Sequence, residues 1–290
     1  MNKRIVIASG KGGTGKTTIA TGLQYTSRKH YNRKTVLIDF DVEEPNDHLF
    51  FSLNQPDTSS VVTQPLPVID ANKCTFCGKC KEVCAFNAVS LVKSAGFAEI
   101  SADLCHSCGA CLVACKDHAI TETPHPIGTV NSYYQNSELV LREGRLKVGV
   151  PHQTSLIREL KKHHVPDTEL AIFDAPPGTS CPVVTTIEGA DLVIVVAEPS
   201  PFGLNDMKLL VELLKDIGLP FGVVINKTGT GSLEMENYLQ KRKIDIIDKI
   251  PFSESVAKAY SKANIQTLTD NTNLEAHLGK IWQYIIDKEL

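Results

Sequence analysis

A glycine-rich stretch near the start of the chain, residues 10–17, restricts the possible fold more than any other feature. It follows a short apolar run at residues 4–9, which predicts a buried strand, and it precedes a helical pattern that continues to about residue 28. Its spacing, G-x-x-x-x-G-K-[ST], is typical of a loop whose backbone N–H groups surround phosphate oxygens. The sequence therefore predicts a phosphate-binding loop between a strand and a helix. In such a loop Lys16 contacts the β- and γ-phosphates and the Thr17 hydroxyl binds Mg²⁺.

Further apolar strands alternate with helical patterns along the rest of the chain. Strands are predicted at residues 35–39, 169–173, 192–197 and 221–225, and an apolar stripe predicts a helix at residues 204–217. Because these strands are almost wholly apolar, they indicate a mostly parallel sheet covered by helices on both faces. The predicted class is therefore α/β, with the fold of a P-loop NTPase.

Three elements in the second half complete this prediction. Residues 138–148 resemble a hairpin that turns at Glu143-Gly144, and residues 154–163 resemble a helix. A C-terminal helix carries apolar residues at 274, 278, 281, 282, 285 and 286. A helix lying on a membrane surface is the alternative, but its polar face mixes Lys280 and Lys288 with three acids. We therefore expect this helix to pack on the core.

The strand–helix alternation is interrupted between about residues 65 and 126. Prolines mark both ends of the interruption, at Pro65 and Pro67 and again at Pro124 and Pro126, and eight of the nine cysteines lie inside it. The simplest interpretation is a small α+β domain inserted into the larger one. The predicted division is 1–66 and 127–290 for the two parts of the nucleotide-binding domain and 67–126 for the insert.

The eight inserted cysteines form two runs with the same spacing, C-x₂-C-x₂-C-x₃-C. This is the bacterial ferredoxin pattern, in which the fourth cysteine of each run binds the other cluster. Zinc is the alternative, but structural zinc sites usually bring two separated Cys-x-x-Cys pairs to one ion. Ala85 and Lys116 stand where ferredoxin runs usually have proline. The pattern predicts two 4Fe–4S clusters, one held by Cys74, Cys77, Cys80 and Cys115 and the other by Cys84, Cys105, Cys108 and Cys111.

A second lysine in the glycine-rich loop, Lys11, makes the motif Lys-Gly-Gly-x-Gly-Lys-Thr. This resembles the deviant Walker A motif of the MinD/nitrogenase-iron-protein group of ATPases. The resemblance implies an ATP-dependent homodimer in which Lys11 reaches the partner's nucleotide, although a solvated loop lysine is the simpler alternative. It also implies that ATP is bound by Gly12, Gly13, Thr14, Gly15, Lys16, Thr17 and Thr18.

Other motifs of the same group occur in the expected order, and the resemblance covers about residues 3–60 and 145–265. Residues 36–41 end in two carboxylates, of which Asp41 is expected to orient the attacking water and Asp39 to support the Mg²⁺ shell. Residues 171–178 resemble the Walker B and switch segment, which implies that Asp174 holds Mg²⁺ and that Gly178 senses the γ-phosphate. Asn226 is expected to read adenine.

The ninth cysteine, Cys181, lies seven residues after Asp174, at the offset of a cluster ligand in the nitrogenase iron protein. The resemblance implies a metal or redox site shared across a dimer, and a buried small side chain is the alternative. The odd cysteine count and the lack of an export signal argue against a disulfide framework and for a cytoplasmic chain.

The formal net charge of −3 gives no general basic field, so we expect no nucleic-acid partner. The longest apolar stretch is too short to span a bilayer, so we expect no stable membrane insertion. The leading hypothesis is an ATPase that couples its nucleotide state to electron transfer through two 4Fe–4S clusters, to a redox partner protein. The alternatives are an ATP-dependent carrier that donates a metallocluster to an acceptor protein and, more weakly, a positioning ATPase of the MinD type.

Overall fold

The computed structural model describes residues 3–31, 33–162, 170–229, 233–270 and 272–290. The predicted helix end at residue 163 and the predicted strand start at residue 169 lie outside these residues. The strands are β1 (Lys3–Ala8), β2 (Thr35–Asp39), β3 (Thr58–Ile69), β4 (Val89–Val92), β5 (Phe97–Ile100), β6 (Ile120–Gln135), β7 (Glu138–Leu146), β8 (Leu170–Asp174), β9 (Leu192–Ala197), β10 (Phe221–Thr228) and β11 (Ile246–Pro251).

The helices fall mainly where apolar residues recur at helical spacing. One of them, residues 201–216, begins with Ser200 as its N-cap, since the Ser200 hydroxyl accepts a hydrogen bond from the Gly203 N–H at 3.0 Å. The α-helices are α1 (Lys16–His30), α2 (Asp47–Phe50), α3 (Lys79–Glu82), α4 (Ala110–Ala114), α5 (Gln153–Lys162), α6 (Cys181–Ile187), α7 (Pro201–Asp216), α8 (Glu234–Lys241), α9 (Glu254–Tyr260), α10 (Ile265–Asp270) and α11 (Leu274–Asp287), and residues 93–95 form a 3₁₀ turn.

Nine strands form one sheet, in the order β11-β10-β9-β1-β8-β2-β7-β6-β3. Neighbours from β11 to β7 pair in parallel, which confirms the mostly parallel sheet predicted from the apolar strands. The pairs β7/β6 and β6/β3 are antiparallel. Because parallel strands end at the same edge, the loops after β1, β2, β8, β9 and β10 meet there. The glycine-rich loop follows β1 and lies at this edge.

Helices cover both faces of the sheet and bury one apolar cluster on each. Along β1, Val6 and Ala8 face the cluster under α5, α7 and α8, while Ile5 and Ile7 face the cluster under α1, α10 and α11. Trp282 of α11 is fully buried in the second cluster. The C-terminal helix therefore packs on the core, as predicted. Within the described ranges, no helix has the length and apolar character that crossing a bilayer requires.

The predicted turn at Glu143-Gly144 is wrong. Both residues lie inside β7, which pairs with β6, and the reversal of the chain occurs at Asn136 and Ser137, both with positive φ. Gly144 is required for packing, because a Cβ there would lie 2.7 Å from Val42 Cγ1. A glycine that allows close approach has the same sequence signature as a turn glycine.

The cysteine-rich segment is carried by a long two-stranded ribbon. Strands β3 and β6 pair antiparallel from Thr58↔Ser132 to Ile69↔Ile120, so the ribbon is continuous with the large sheet. The prolines that were predicted to mark the ends of the inserted domain lie within this ribbon, with Pro65 opposite Pro124. Beyond the end of β7 the ribbon has free edges, where a strand tolerates proline. At its tip, residues 70–119 contain α3, α4 and the β4/β5 hairpin.

One buried carboxylate joins this ribbon to the region after β2. Glu143 is fully buried, and its Oε1 accepts from Asn131 Nδ2 at 3.1 Å, the Tyr133 hydroxyl at 3.2 Å and Arg145 Nη2 at 3.3 Å. His48 Nδ1 lies 2.9 Å from its other oxygen. We expect Glu143→Ala to lower the free energy of unfolding by about 3 kcal/mol, because it leaves several buried donors unpaired. Urea denaturation followed by circular dichroism measures this loss.

Glu138 is the matched control on the same strand. Its exposed carboxylate lies 3.4 Å from Arg28 and 3.5 Å from Lys34, and exposed pairs of this kind contribute about 1 kcal/mol at most. Equal destabilisation by Glu138→Ala and Glu143→Ala would contradict a special role for the buried carboxylate.

Candidate functional site

The glycine-rich loop passes from β1 to α1 with two residues in the left-handed region, Gly13 at φ 75° and Gly15 at φ 101°. A Cβ at Gly12 or Gly13 would meet no atom within 4 Å, so open space lies beside the backbone there. Lys16 is buried at the start of α1, only 8% exposed, and Thr18 is equally buried. An open backbone cradle with a buried ammonium at its base is suited to binding phosphate oxygens.

Thr17 and Asp174 form the part of the site that could hold a divalent cation. The Thr17 hydroxyl donates to Asp174 Oδ2 at 2.7 Å, while Asp174 Oδ1 is buried and has no hydrogen-bond partner among the described residues. Burial raises the pKa of Asp174 to about 6, although Lys16 and the Thr17 hydroxyl oppose the rise. Mg²⁺ takes one or two protein carboxylates and completes its shell with phosphate and water. The two side chains therefore fit Mg²⁺.

Two further carboxylates are buried in the same region. Asp39 accepts hydrogen bonds from the backbone N–H groups of Asp41 at 2.9 Å, Asn46 at 2.9 Å and Asp47 at 3.2 Å. The carboxylate of Asp47 is also fully buried. Burial, followed by repulsion from neighbouring carboxylates, raises the pKa of both Asp39 and Asp47 well above the usual range. The sequence did not single out Asp47, because an acid at the start of a short helix usually faces solvent.

Lys11 forms an ion pair with Glu198 of its own chain. Glu198 directly follows β9, accepts from the Ser200 hydroxyl at 3.2 Å and lies 3.4 Å from Lys227 Nζ. Burial opposes ionisation of Glu198, but the hydrogen bond and charge of Lys11 lower its pKa. Sequence reasoning missed Glu198, although an acid directly after an apolar strand is the same signal that identified the other acids at this edge.

Asn226 contacts the glycine-rich loop from the end of β10. Its amide donates to the Thr14 carbonyl at 2.7 Å, and a Cβ at Gly15 would collide with it. Both residues line a cavity of about 330 Å³ that extends from the loop to Phe252 and Tyr260. This cavity is wide enough for a nucleoside beside the phosphate loop. The sequence did not predict its far wall, which comes from the β11–α9 region.

Asp41 and Gly178 do not line the 330 Å³ cavity. Asp41 is partly buried, and burial raises its pKa while Lys16 opposes the rise. It lines a second cavity of about 710 Å³ together with Lys147 and Pro176. The Gly178 N–H donates to the Ser9 carbonyl at 2.9 Å, at φ 98°. Gly178 is therefore hydrogen bonded to the residue that follows β1 and leads into the loop.

The two cysteine runs fold as copies of each other. Positive φ values recur at equivalent positions, 54° and 50° at Phe76 and Ser107 and 85° and 75° at Gly78 and Gly109. Each run then enters a short helix, α3 or α4. Such backbone turns direct N–H groups inward, toward the region enclosed by the run.

Backbone N–H groups donate to four of the cysteine sulfurs, again at equivalent positions. The donors are Phe76 to Cys74 Sγ at 3.4 Å and Ser107 to Cys105 Sγ at 3.4 Å, and Ala88 to Cys84 Sγ and Ala119 to Cys115 Sγ, both at 3.3 Å. Hydrogen bonds to sulfur stabilise a thiolate and tune the potential of a cluster that it binds. The sulfurs therefore have the surroundings of ligands.

Two small cavities group the eight cysteines, and they do so across the runs. One, which we call the first cysteine site, is lined by Cys74, Cys77, Cys80 and Cys115. The other, the second cysteine site, is lined by Cys84, Cys105, Cys108 and Cys111. Across the described segments, no three histidine, cysteine or acidic side chains converge on a point where one metal ion could sit. The thiolates of a cubane bind four separate iron atoms, so they need not converge in that way.

Burial disfavours the thiolate form of several of these cysteines. It raises the pKa of Cys111 to about 11, and it also raises the pKa of Cys80 and of Cys105. A metal that binds here must displace these protons, so its binding is linked to pH. None of the nine cysteines forms a disulfide.

Cys181 lies apart from both cysteine sites. It is the first residue of α6, and its side chain is exposed. The alternative of a buried small side chain is therefore wrong, because the helix begins with Cys181 facing outward. The hypothesis of a metal or redox site at Cys181 stays a prediction.

The sequence matches the family described as the CobQ/CobB/MinD/ParA nucleotide binding domain over residues 5–266. An uncharacterised protein of Methanocaldococcus jannaschii is 33% identical over 256 residues, which are 88% of this chain and 86% of that protein. A protein of Anopheles gambiae described as a cytosolic Fe-S cluster assembly factor Nubp2 homolog is 23% identical over 232 residues, 78% of this chain and 68% of that protein.

The fold is similar to that of the septum site-determining protein MinD from Pyrococcus horikoshii, whose structure contains Mg-ADP. The TM-score is 0.59 at 16% sequence identity, and the match covers 98% of this chain and 96% of the other. At this identity the similarity establishes the fold.

Proposed function

We propose a function from the premise that the chain belongs to the CobQ/CobB/MinD/ParA nucleotide-binding domain family. The chain is a P-loop nucleotide-binding ATPase of the MinD/ParA type. Its proposed role is to couple the state of bound ATP to electron transfer through two 4Fe–4S clusters. The clusters would lie in an inserted ferredoxin domain, residues 67–126, between the ATPase parts 1–66 and 127–290.

The observation that carries this proposal is the crossed grouping of the cysteines. Three residues of one run and the last residue of the other line each cavity, as in a two-cluster ferredoxin. Zinc sites built from separated Cys-x-x-Cys pairs would need no such exchange between the runs. When bound, 4Fe–4S clusters supply one-electron transfer. The chain itself supplies the eight thiolates and the N–H donors, and it exposes Cys77 and Cys108 to an approaching redox partner.

The nucleotide end of the proposal rests on the geometry of the loop. Lys16 would neutralise the β- and γ-phosphates, and Thr17 with Asp174 would hold Mg²⁺. Asp39 would support the Mg²⁺ shell, while Asp41 would orient the attacking water. Charge stabilisation by groups held in place before the reaction usually contributes most to the rate enhancement in such catalysis.

The base-side residues and the remaining loop residues would complete the ATP site. Asn226 would face adenine within the 330 Å³ cavity. Gly178 would exchange its bond to Ser9 for one to the γ-phosphate. Backbone groups of Gly12, Gly13, Thr14, Gly15 and Thr18 would surround the remaining phosphate oxygens.

Lys11 would act between two copies of the chain. Its ammonium is held by Glu198 at the edge of the loop, and release from Glu198 would free it for the nucleotide of a second copy. ATP would then favour a homodimer, because the γ-phosphate adds negative charge for two Lys11 side chains to bind.

The test is the reduction potential of the iron-loaded protein with and without nucleotide. We expect MgATP to shift the midpoint potential of at least one cluster relative to MgADP, since the switch at Gly178 distinguishes the two nucleotides. Anaerobic redox titration followed by electron paramagnetic resonance (EPR) measures the shift. Lys16→Gln is the control, because it should keep the iron but lose the shift. Equal potentials with ATP, with ADP and without nucleotide would contradict the coupling.

A second function, delivery of an iron–sulfur cluster to an acceptor protein, is favoured by the similarity to the Nubp2 homolog. It needs a labile cluster beside the eight ligands described above, and the exposed Cys181 of two copies could hold one. Incubation with apo-ferredoxin separates the two functions. ATP-dependent transfer of iron to apo-ferredoxin supports delivery, while retention of all the iron supports electron transfer.

A further inference from the structure

The second cysteine site contacts the nucleotide-binding part of the molecule through a pair of histidines. The ring centroids of His106 and His152 lie 6.1 Å apart, His152 is buried, and His106 lines the second cysteine site together with Cys105. On its other side, His106 stacks on Phe86 at 3.8 Å. His106, the neighbour of Cys105 in the chain, therefore lies beside a residue of the ATPase part.

The segment that ends at His152 begins beside the residue that follows Asp41. Directly after Asp41, the Val42 carbonyl accepts a hydrogen bond from the Leu146 N–H at 2.7 Å, and Val42 also packs on Gly144. Residues 146–151 then form one wall of the 710 Å³ cavity, in which Asp41 and Pro176 form other walls. A movement of the residues around Asp41 would therefore be passed directly to this segment. His152 follows at its end and accepts the first backbone hydrogen bond of α5, from Leu156, at 3.1 Å.

The first cysteine site has different contacts at the equivalent positions. Thr75 corresponds to His106 and Asp117 to Phe86, and the Thr75 hydroxyl donates to the Asp117 carboxylate at 2.6 Å. This contact joins two residues of the cysteine-rich tip, both of them at the surface. Of the two related sites, the second is thus the one joined to the ATPase part by His152.

We propose that the second cysteine site, rather than the first, responds to the nucleotide state, and that His152 is the positioning residue through which the response passes. The inference rests on the proposed function, since it presumes that the chain binds both ATP and iron. It specifies the route, Asp41–Val42 to residues 146–152 and then to Cys105, and it makes that route dependent on one side chain.

Hydrogen exchange of the full, anaerobically iron-loaded chain tests the route. With Mg²⁺ and a non-hydrolysable ATP analogue, we expect the exchange rates of peptides covering residues 103–109 and 146–152 to change. Peptides covering residues 72–78 should not change. In His152→Ala, the change at residues 103–109 should be lost, while the change at residues 41–46 remains.

Two further variants keep the test decisive. His106→Thr installs the residue found at the equivalent position of the first site, and it should also abolish the response at residues 103–109. His118→Asn is the matched control, because it removes an imidazole next to the first site at a position with positive φ that asparagine tolerates. It should leave the response intact.

The outcomes separate the route from the function it rests on. Calorimetric titration of the ATP analogue and iron analysis are made on the same samples. Absence of nucleotide binding or of iron in the unmodified chain overturns the proposed function and this inference with it. Where both are present, equal changes in the two cysteine loops, or a change at residues 103–109 that survives in both His152→Ala and His106→Thr, overturns the inference alone.

Discussion

Replacement of Lys16 by glutamine is expected to lower the rate of ATP hydrolysis by about 100- to 1,000-fold, the effect of removing one charge-stabilising group from a catalytic site. The ammonium is buried at the base of the glycine-rich loop, close enough to Asp41 and Asp174 to oppose the rise in pKa that burial gives both carboxyls. Glutamine keeps a hydrogen-bond donor on a side chain one bond shorter than that of lysine, but it removes the positive charge. Its loss should therefore act on the developing charge of the phosphates rather than on the fold.

Phosphate release from MgATP measures this effect, and urea denaturation checks that the variant is folded. Lys34→Gln is the matched control, since Lys34 is exposed and its contact is a surface pair with Glu138. It should hydrolyse ATP at the rate of the unmodified chain. Hydrolysis by Lys16→Gln within a few-fold of that rate would show that the loop is not the catalytic phosphate site.

The parts of this site that could be predicted are those that depend on short-range pattern. The glycine-rich loop, the apolar strands and the acids at their ends, such as Asp174, each follow from residues close together in the chain. Parallel pairing then brings the strand ends to one edge, so local motifs are enough to predict a composite site. The same reasoning extends to Cys80 and its run, whose spacing alone predicted the grouping seen in the cavities.

The parts that could not be predicted depend on contacts between distant segments. The pair Glu143-Gly144 was predicted to form a turn, but the lack of a side chain at Gly144 instead lets Val42 pack closely against β7. Val42 lies more than a hundred residues before Gly144 in the chain. Glu143 itself is a charged residue that the fold buries completely, next to His48. Local sequence carries no signal for such burial, because the partners that make it tolerable come from other elements.

The pairing of Lys11 with Glu198 is a further contact of this kind. The family resemblance assigns Lys11 to a partner subunit, whereas its contact within one chain is an acid at the end of β9. A lysine that acts between subunits needs a negatively charged partner when the second subunit is absent, and the partly buried Glu198 supplies one. The structure shows the intrachain pair with Glu198, and the role of Lys11 between subunits stays a prediction.

Under the proposed function, removal of Cys74 and Cys77 together is expected to lower the iron content from about eight to about four atoms per chain, because it would destroy one of the two proposed 4Fe–4S sites. In that double variant, the crossed arrangement makes opposite predictions for the two remaining fourth cysteines. Adding Cys115→Ala should remove no further iron, since its cluster is already lost. Adding Cys84→Ala should lower the iron content again, because Cys84 lines the surviving site.

Cys84 and Cys115 are closely matched, which makes the comparison sharp. Each is the fourth cysteine of its run, each is half-buried, and each accepts one backbone N–H at 3.3 Å. They differ in the cavity that they line, so a difference in iron content reports ligation rather than folding. Iron and sulfide assays after anaerobic reconstitution measure the iron content of each variant. The iron lost in Cys181→Ala measures any iron that is bound at Cys181, outside the two sites. If Cys115 rather than Cys84 controls the remaining iron, each run binds its own cluster. The prediction that each run supplies its fourth cysteine to the other site would then be wrong.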